Sequence, residues 1–377
     1  MKLCFLLGSG ASIDAGMPGV AEINNQVLSP TNVLRHTDRI YYLRGSDDGE
    51  PGQLPRAVVF TQRLAGIARD YLTDYGGGAE PSYEDVANLA RQIRDGISGE
   101  YENPALLPLL SDLRQQLQID PQALMELAGE ACDYIHDTIW QMLQRPIGDL
   151  RHLSAITDAC HEIGCVDLFD LNHDRVLAAA LREHGVSASD GFNDHQGDVR
   201  YWTGEFTESV RHFKLHGSIC WFRRRHPARP SGGPVVARST GNDPNHERDG
   251  QGQLLDIPID GRPALVVGTF DKALRYDASV IAEQHFRFHE SLRDAQRLVV
   301  VGYGFRDKGI NTRLIDWTVG SPNRRLVVVH GNEKALTRGA RPAVQGKWET
   351  WRSEGRLVVI SHMVGDTDWL AIRSSCA

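Results

Sequence analysis

Leu3-Cys4-Phe5-Leu6-Leu7-Gly8-Ser9-Gly10-Ala11-Ser12, followed by Ala15-Gly16-Met17-Pro18-Gly19, is the stretch from which the fold is read. Five consecutive apolar residues fit a strand buried on both faces, the habit of strands inside a parallel sheet. The glycines after them let the backbone turn sharply and approach a ligand. A helix starting beyond such a turn aims free N–H groups at a phosphate. The spacing is a loose G-x-G-x-x-G, with its third glycine displaced to position 16. A strand-to-helix turn that holds no ligand is the competing reading of the same residues.

Comparable apolar runs recur at residues 165–171, 211–215, 264–267, 298–301, 326–329 and 357–360, and helical patterns follow them, as at 279–295 and 309–319. Strands alternating with helices predict an α/β fold, a Rossmann-like doubly wound parallel sheet. The first two runs lie too far apart for an ordinary crossover. Helical patterns fill the interval at 57–71, 83–94, 104–117 and 121–143, with Pro121 suited to a helix start and 75–81 (YGGGAEP) a breaker. We therefore expect a discontinuous sheet domain, residues 1–29 and 151–377, interrupted by a mainly helical insertion at 30–150. Residues 223–261, rich in Arg, Pro, Gly, Asn and Asp, predict a long irregular loop.

Composition narrows the class. The 377 residues are 41% hydrophobic and 24% charged, with a net charge of −8. No apolar run reaches the ~18 residues of a membrane span, and the acidity gives no general nucleic-acid footprint. The opening MKLCFLLGSG is too short in apolar residues for a secretory leader. The six cysteines, at 4, 132, 160, 165, 220 and 376, include no pair two residues apart. Neither a disulfide framework nor a four-cysteine zinc ribbon is expected, so the chain reads as reduced, soluble and cytoplasmic, with no metal site.

The candidate chemistry lies just past the strand ends, where open α/β sheets bind ligands. Run 165–171 leads into Asn172-His173-Asp174, and run 211–215 into His216-Gly217-Ser218. An asparagine amide orients a water or a ribose hydroxyl, and a histidine titrates near neutrality and serves as a general base. Asp174 also suits a helix cap. Run 298–301 continues into Gly302-Tyr303-Gly304-Phe305-Arg306-Asp307, a second glycine turn, and Val329-His330-Gly331-Asn332 repeats the design more weakly.

Together the order is Gly-Ser-Gly-Ala-Ser with Ala-Gly-Met-Pro, then Leu-Asn-His-Asp, Leu-His-Gly-Ser and Val-Gly-Tyr-Gly-Phe-x-Asp. It resembles the sirtuin superfamily, and more closely the sirtuin-like effectors of bacterial anti-phage defence. The resemblance covers residues 3–20, 164–182, 211–221 and 263–332. It implies that Gly8, Gly10, Ala11 and Ser12 line the pyrophosphate of NAD+. It implies that Asn172 holds the nicotinamide ribose and a water, and that Asp174 lies near the carboxamide. His216 matches the catalytic histidine, Gly302, Tyr303 and Gly304 match a phosphate and ribose loop, and Asn332 matches an adenine-ribose contact.

The departures from deacylating sirtuins carry information too. Gly19 and Val20 follow Pro18 where those enzymes have Asp-Phe-Arg, Leu171 replaces their Gln, and residues 223–261 hold no cysteine for their zinc ribbon. The resemblance therefore implies a NAD+ hydrolase that releases nicotinamide and ADP-ribose without zinc. It also implies a gated effector: a homo-oligomer answering to a trigger or partner such as a HerA-type ATPase or a short Argonaute, with nucleic acid met only through the partner. The competing readings are a non-catalytic NAD or ADP-ribose-binding module, a NAD-dependent deacylase or ADP-ribosyltransferase, and a nucleotide hydrolase using Asp14 and Asp174.

Overall fold

In the computed structural model, which describes residues 2–44, 53–75, 80–100, 103–227, 231–241, 243–268 and 279–376, the first apolar run lies at the middle of the main sheet. The strands are β1 (Leu3–Leu7), β2 (Val33–Arg35), β3 (Tyr41–Leu43), β4 (Val166–Asp170), β5 (Ala188–Ser189), β6 (Asp194–Gln196) and β7 (Val199–Tyr201). They continue as β8 (Val210–Lys214), β9 (Gly217–Arg224), β10 (Val235–Ser239), β11 (Pro263–Leu265), β12 (Arg297–Val301), β13 (Arg325–Val329) and β14 (Leu357–Ile360).

Seven of them form a sheet in the order β14-β13-β12-β1-β4-β8-β5, and every pairing in it is parallel. The chain leaves β1 toward β4 and leaves β12 toward β13, so the winding reverses between β1 and β12. This is the α/β, Rossmann-like, doubly wound sheet expected. All five residues of β1 are buried, because helices cover both faces. On one face Cys4, Leu6, Phe169, Phe213, Leu298, Val300 and Val328 pack with Phe288, Leu292, Trp317 and Trp348 of the helices Ser279–Asp294, Lys308–Val319 and Pro342–Ser353. The register sets Leu7 level with Asp170 and Val301, and Asp170 level with Lys214, so the carboxyl ends form one edge.

A second sheet, in the order β11-β9-β10-β7-β6, is antiparallel. It corrects two expectations. Run 264–267 does not join the parallel sheet; β11 pairs antiparallel with β9. Segment 223–261 is not irregular throughout, since β9 runs to Arg224 and β10 lies within it. The physical reason is one buried cation. Arg224 meets Glu247 at 2.7 Å and the carbonyls of Pro244 and Asp256, so the polar segment wraps a buried guanidinium. The composition showed only that the segment was polar.

The described residues cluster into two compact units, one within Met1–Met17, Gln144–Val266 and Ala273–Ala377, the other within Pro18–Leu143 and Val267–Lys272. The second unit is largely helical, with helices Val20–Leu28, Arg56–Tyr75, Tyr83–Ser98, Leu107–Leu117 and Pro121–Leu143. It begins before residue 30 because Val20–Leu28 packs inside it; Tyr134 donates its hydroxyl to the carbonyl of Val27 at 3.0 Å. Ser82 and Asp85 form a reciprocal capping box that starts Tyr83–Ser98, and Gly99 ends it with φ 80°. The unit also holds the hairpin β2–β3, where Asp137 accepts the N–H of Tyr41. Most of the breaker at 75–81 lies outside the described residues.

Candidate active site

β1 runs directly into a 3-10 turn, Ser9–Ala11, and the next helix begins only at Val20. The helix beyond the glycines therefore starts only after Gly19. The cause is a backbone crossing. A Cβ on Gly8 would lie 2.6 Å from Cα of Tyr303, and one on Gly302, where φ is +64°, would lie 2.3 Å from the nitrogen of Ala11. The turns after β1 and β12 thus touch backbone to backbone, which side chains at these positions would prevent. The crossing also occupies donors. Gly8 N–H bonds Val301 O at 2.9 Å, Gly10 N–H bonds Gly302 O at 2.9 Å, and the amides of Ala11 and Ser12 bond Gly8 O and Ser9 O. A pyrophosphate at this turn would compete with these bonds.

Asn172 follows β4 and is buried. Its backbone N–H donates to Asp170 Oδ1 at 2.9 Å, and its Nδ2 donates to Gly8 O at 3.0 Å and to Ser12 Oγ at 3.1 Å. A carbonyl only accepts, so the bond to Gly8 settles which side of the amide is nitrogen. Oδ1 is left as the acceptor available to a water or a sugar hydroxyl. Behind it, Asp170 is held by Lys214 Nζ at 2.8 Å and His212 Nε2 at 3.3 Å. Burial pushes its carboxyl up, but the charge of Lys214, with His212, outweighs burial and holds it at about 2. Lys214 also donates to Asp174 O at 2.7 Å. The Asp174 carboxyl takes the Val176 N–H and a bond from Ser12, but the cap position of the helix Val176–Glu183 is Arg175, so Asp174 bonds the helix start from one residue before the cap. Burial, with Asp170 nearby, raises it above the usual carboxylate range.

His216 is the second of the two residues between β8 and β9. Gly217 bends there with φ +80° and passes so close to the Ala264 carbonyl that a Cβ would lie 2.0 Å from it. The imidazole is buried; Nδ1 lies 3.1 Å from Leu171 O and Nε2 lies 3.1 Å from Asp307 Oδ2. Asn172 and His216 therefore converge, one following and the other bonded to Leu171. Asp307, quoted above only as the end of a glycine turn, joins them across the sheet. It is fixed by capping Ile310 N–H at 3.0 Å and by donating its own N–H to the Tyr303 hydroxyl at 3.1 Å. That hydroxyl in turn donates to Asn311 Oδ1 at 2.9 Å.

Gly302 and Tyr303 thus support the site through packing and hydrogen bonds. A Cβ on Gly304 would meet nothing within 4 Å, so the fold itself does not require glycine there. Asn332 stands apart from this web: it is exposed and caps the helix Glu333–Gly339 through Ala335 N–H. Asp170, Lys214 and Asp307 were missed as site residues. Charged residues within or beyond apolar runs were the available signal. Among the described residues, no group of three or more His, Cys, Asp or Glu is placed to hold a metal ion, and no helix is long and apolar enough to cross a membrane.

No family model and no curated protein matches the chain. Solved structures do align over 99% of it. A serine-to-alanine mutant of a Sir2 homologue in complex with ADP-ribose is 12% identical, with 91% of that chain covered and a TM-score of 0.39. A Sir2 homologue triple mutant with 2'-O-acetyl ADP-ribose is also 12% identical, with 91% covered and a TM-score of 0.41. A structure on the mechanism and regulation of Sir2 enzymes is 11% identical, with 92% covered and a TM-score of 0.40. Overlaps this loose transfer no residue to the chain.

Proposed function

We propose that this chain is a NAD+ hydrolase, which cleaves the bond between nicotinamide and ribose to give nicotinamide and ADP-ribose. The observation that carries the reading is the convergence of Asn172, with its amide turned by Gly8 and Ser12, and His216 at adjacent strand ends. Nicotinamide departs as a neutral molecule and needs no acid. The transition state resembles an oxocarbenium ion, as in glycoside hydrolysis. The protein then has to hold the sugar, place one water and take its proton. Asn172 Oδ1 does the placing and His216 takes the proton, directly or through a ribose hydroxyl. The glycine turns after β1 and β12 meet the pyrophosphate once their mutual hydrogen bonds yield. Their closed state supports a gated enzyme, and the motif resemblance supports assembly with itself or a partner as the gate, in an effector that depletes NAD+ during anti-phage defence.

The test is incubation of purified protein with NAD+, alone and with the product of the neighbouring gene, with chromatography of the products. Nicotinamide and ADP-ribose should appear in equal amounts. Asn172→Ala and His216→Ala should each lower the rate about 10²–10⁴-fold while the protein stays folded. Undiminished NAD+ loss in the double variant would sink the assignment. Ligand bound but never turned over would favour a binding module instead.

A further inference from the structure

We propose that a cleft at the amino ends of β12 and β13 binds a phosphate group, carried by inorganic phosphate or a small phosphomonoester, with Arg325 as its principal ligand. The cleft lies at the edge of the sheet opposite to the one that carries Asn172 and His216, and it stands whether or not NAD+ is hydrolysed. Its volume is about 330 Å³, and Gln296, Arg297, Arg324, Arg325 and Glu354 are among the residues lining it. The register sets Arg297 level with Arg325, so the two side chains leave neighbouring strands on one face, ~5 Å apart at the backbone. Both charges act on the buried thiol of Cys376. Like charges at that spacing repel each other, and an anion between them would relieve the repulsion.

The three arginines differ in what they already hold. Arg297 donates to the carbonyls of Cys376, Gln296 and Asn323, and Arg324 donates to those of Trp317 and Arg293. All five acceptors are neutral carbonyls, so no carboxylate cancels either charge. Arg325 is half-buried, and among the described residues its side chain has neither a hydrogen bond nor an ion pair. A guanidinium in open solvent needs no partner, but this one shares a cleft with two others. The one carboxylate in the lining, Glu354, is engaged by Arg356 at 3.1 Å. The helices Ser279–Asp294, Lys308–Val319 and Pro342–Ser353 end at the cleft, and each such end carries about −0.5 of a charge. Against three guanidiniums they leave roughly +1.5, which matches the charge of about −1.5 to −2 on a phosphomonoester at neutral pH. Exposed Arg293, Asp294 and Asp316 stand outside the lining, where water weakens their effect. The planar fork of Arg325 can meet two phosphate oxygens at once, which an ammonium cannot do.

Arg325→Met tests the site, because it removes the guanidinium without breaking a bond of the fold. Calorimetric titration of the full chain with inorganic phosphate, against chloride at equal ionic strength, should give saturable binding with a Kd below about 1 mM. Arg325→Met should weaken it at least about tenfold, the loss of one charge-assisted contact, with its thermal midpoint in chloride confirming that it is folded. In the unaltered chain, phosphate should also slow hydrogen exchange of the amides at 323–325 and 354–355, and this reading decides alone should the variant not fold. No saturable binding up to about 10 mM, equal affinity in Arg325→Met, or protection confined to the glycine turn at 8–12 overturns the site. A short single-stranded oligonucleotide is the second probe. Binding of the oligonucleotide that depends on Arg325, with no response to phosphate itself, also overturns a small-ligand site.

Discussion

Replacing Lys214 with methionine isolates the strongest buried charge contact beneath the site. Asp170 is 1% exposed, with Lys214 Nζ at 2.8 Å, and its carboxyl is held at about 2. Against about 3.9 in an unfolded chain, that depression contributes roughly 2–3 kcal/mol, present above pH ~4 and lost as pH falls through about 2. Lys214→Met removes the cation and leaves the carboxylate buried, which costs about 3–5 kcal/mol at neutral pH. Burial then dominates, and the folded pKa moves above the unfolded one. The sign of the linkage reverses: the variant's deficit shrinks as acid protonates Asp170. Urea unfolding followed by the fluorescence of the seven tryptophans should show a large loss at pH 7 and a smaller one at pH 5. Asp170→Asn added to Lys214→Met should recover part of it. A deficit below about 1 kcal/mol at pH 7, the size of an exposed pair, would refute the reasoning. So would an equal deficit at both pH values.

Two further perturbations probe the glycine crossing and the buried histidine. Gly302→Ala should destabilise by about 1–3 kcal/mol through its positive φ, with the contact to Ala11 N adding to it, whereas Gly304→Ala should stay within about 0.5 kcal/mol; equal thermal shifts would contradict the crossing. His285 donates to Leu215 O at 3.0 Å, and burial, with His216 and Arg313, lowers its pKa well below the ordinary value. The stability it contributes is present above about pH 6.5 and lost as pH falls, at up to about 1.4 kcal/mol per unit. His285→Gln should flatten unfolding midpoints between pH 7.5 and 5.5, and an unchanged slope would exclude this histidine as the cause.

Where burial was continuous along the chain, sequence and structure agree. The runs that became β1, β12 and β13 needed only their unbroken apolar character, and the helix Pro121–Leu143 matched its pattern to the residue. What stayed hidden depended on partners far away in sequence. Arg224 reads as part of a solvated Arg-Arg-Arg cluster until Glu247 folds onto it. Lys214 and Asp170 break their apolar runs, and only strand pairing shows that they satisfy each other. Asn172 and His216 were legible because each immediately follows a run. Asp307 was not, since its relation to His216 is made by the order of strands rather than by spacing. Likewise, the glycines suggested a ligand turn, and local sequence gave no hint that two such turns would occupy each other.

The step from β8 to β9 contains no slack. Leu215 N–H is tied to Asp170 O, His216 O to Val266 N–H, and Ile219 N–H to His173 O, each at 2.9 Å. Most connections between strands absorb an inserted residue at little cost. Here one extra residue would reverse the two-residue alternation along β9 and put Cys220 where Trp221 packs against Phe192. The position of His216 is therefore set by two sheets at once. Descent or design can vary the groups around the imidazole, but it cannot slide the histidine along the connection between its two strands.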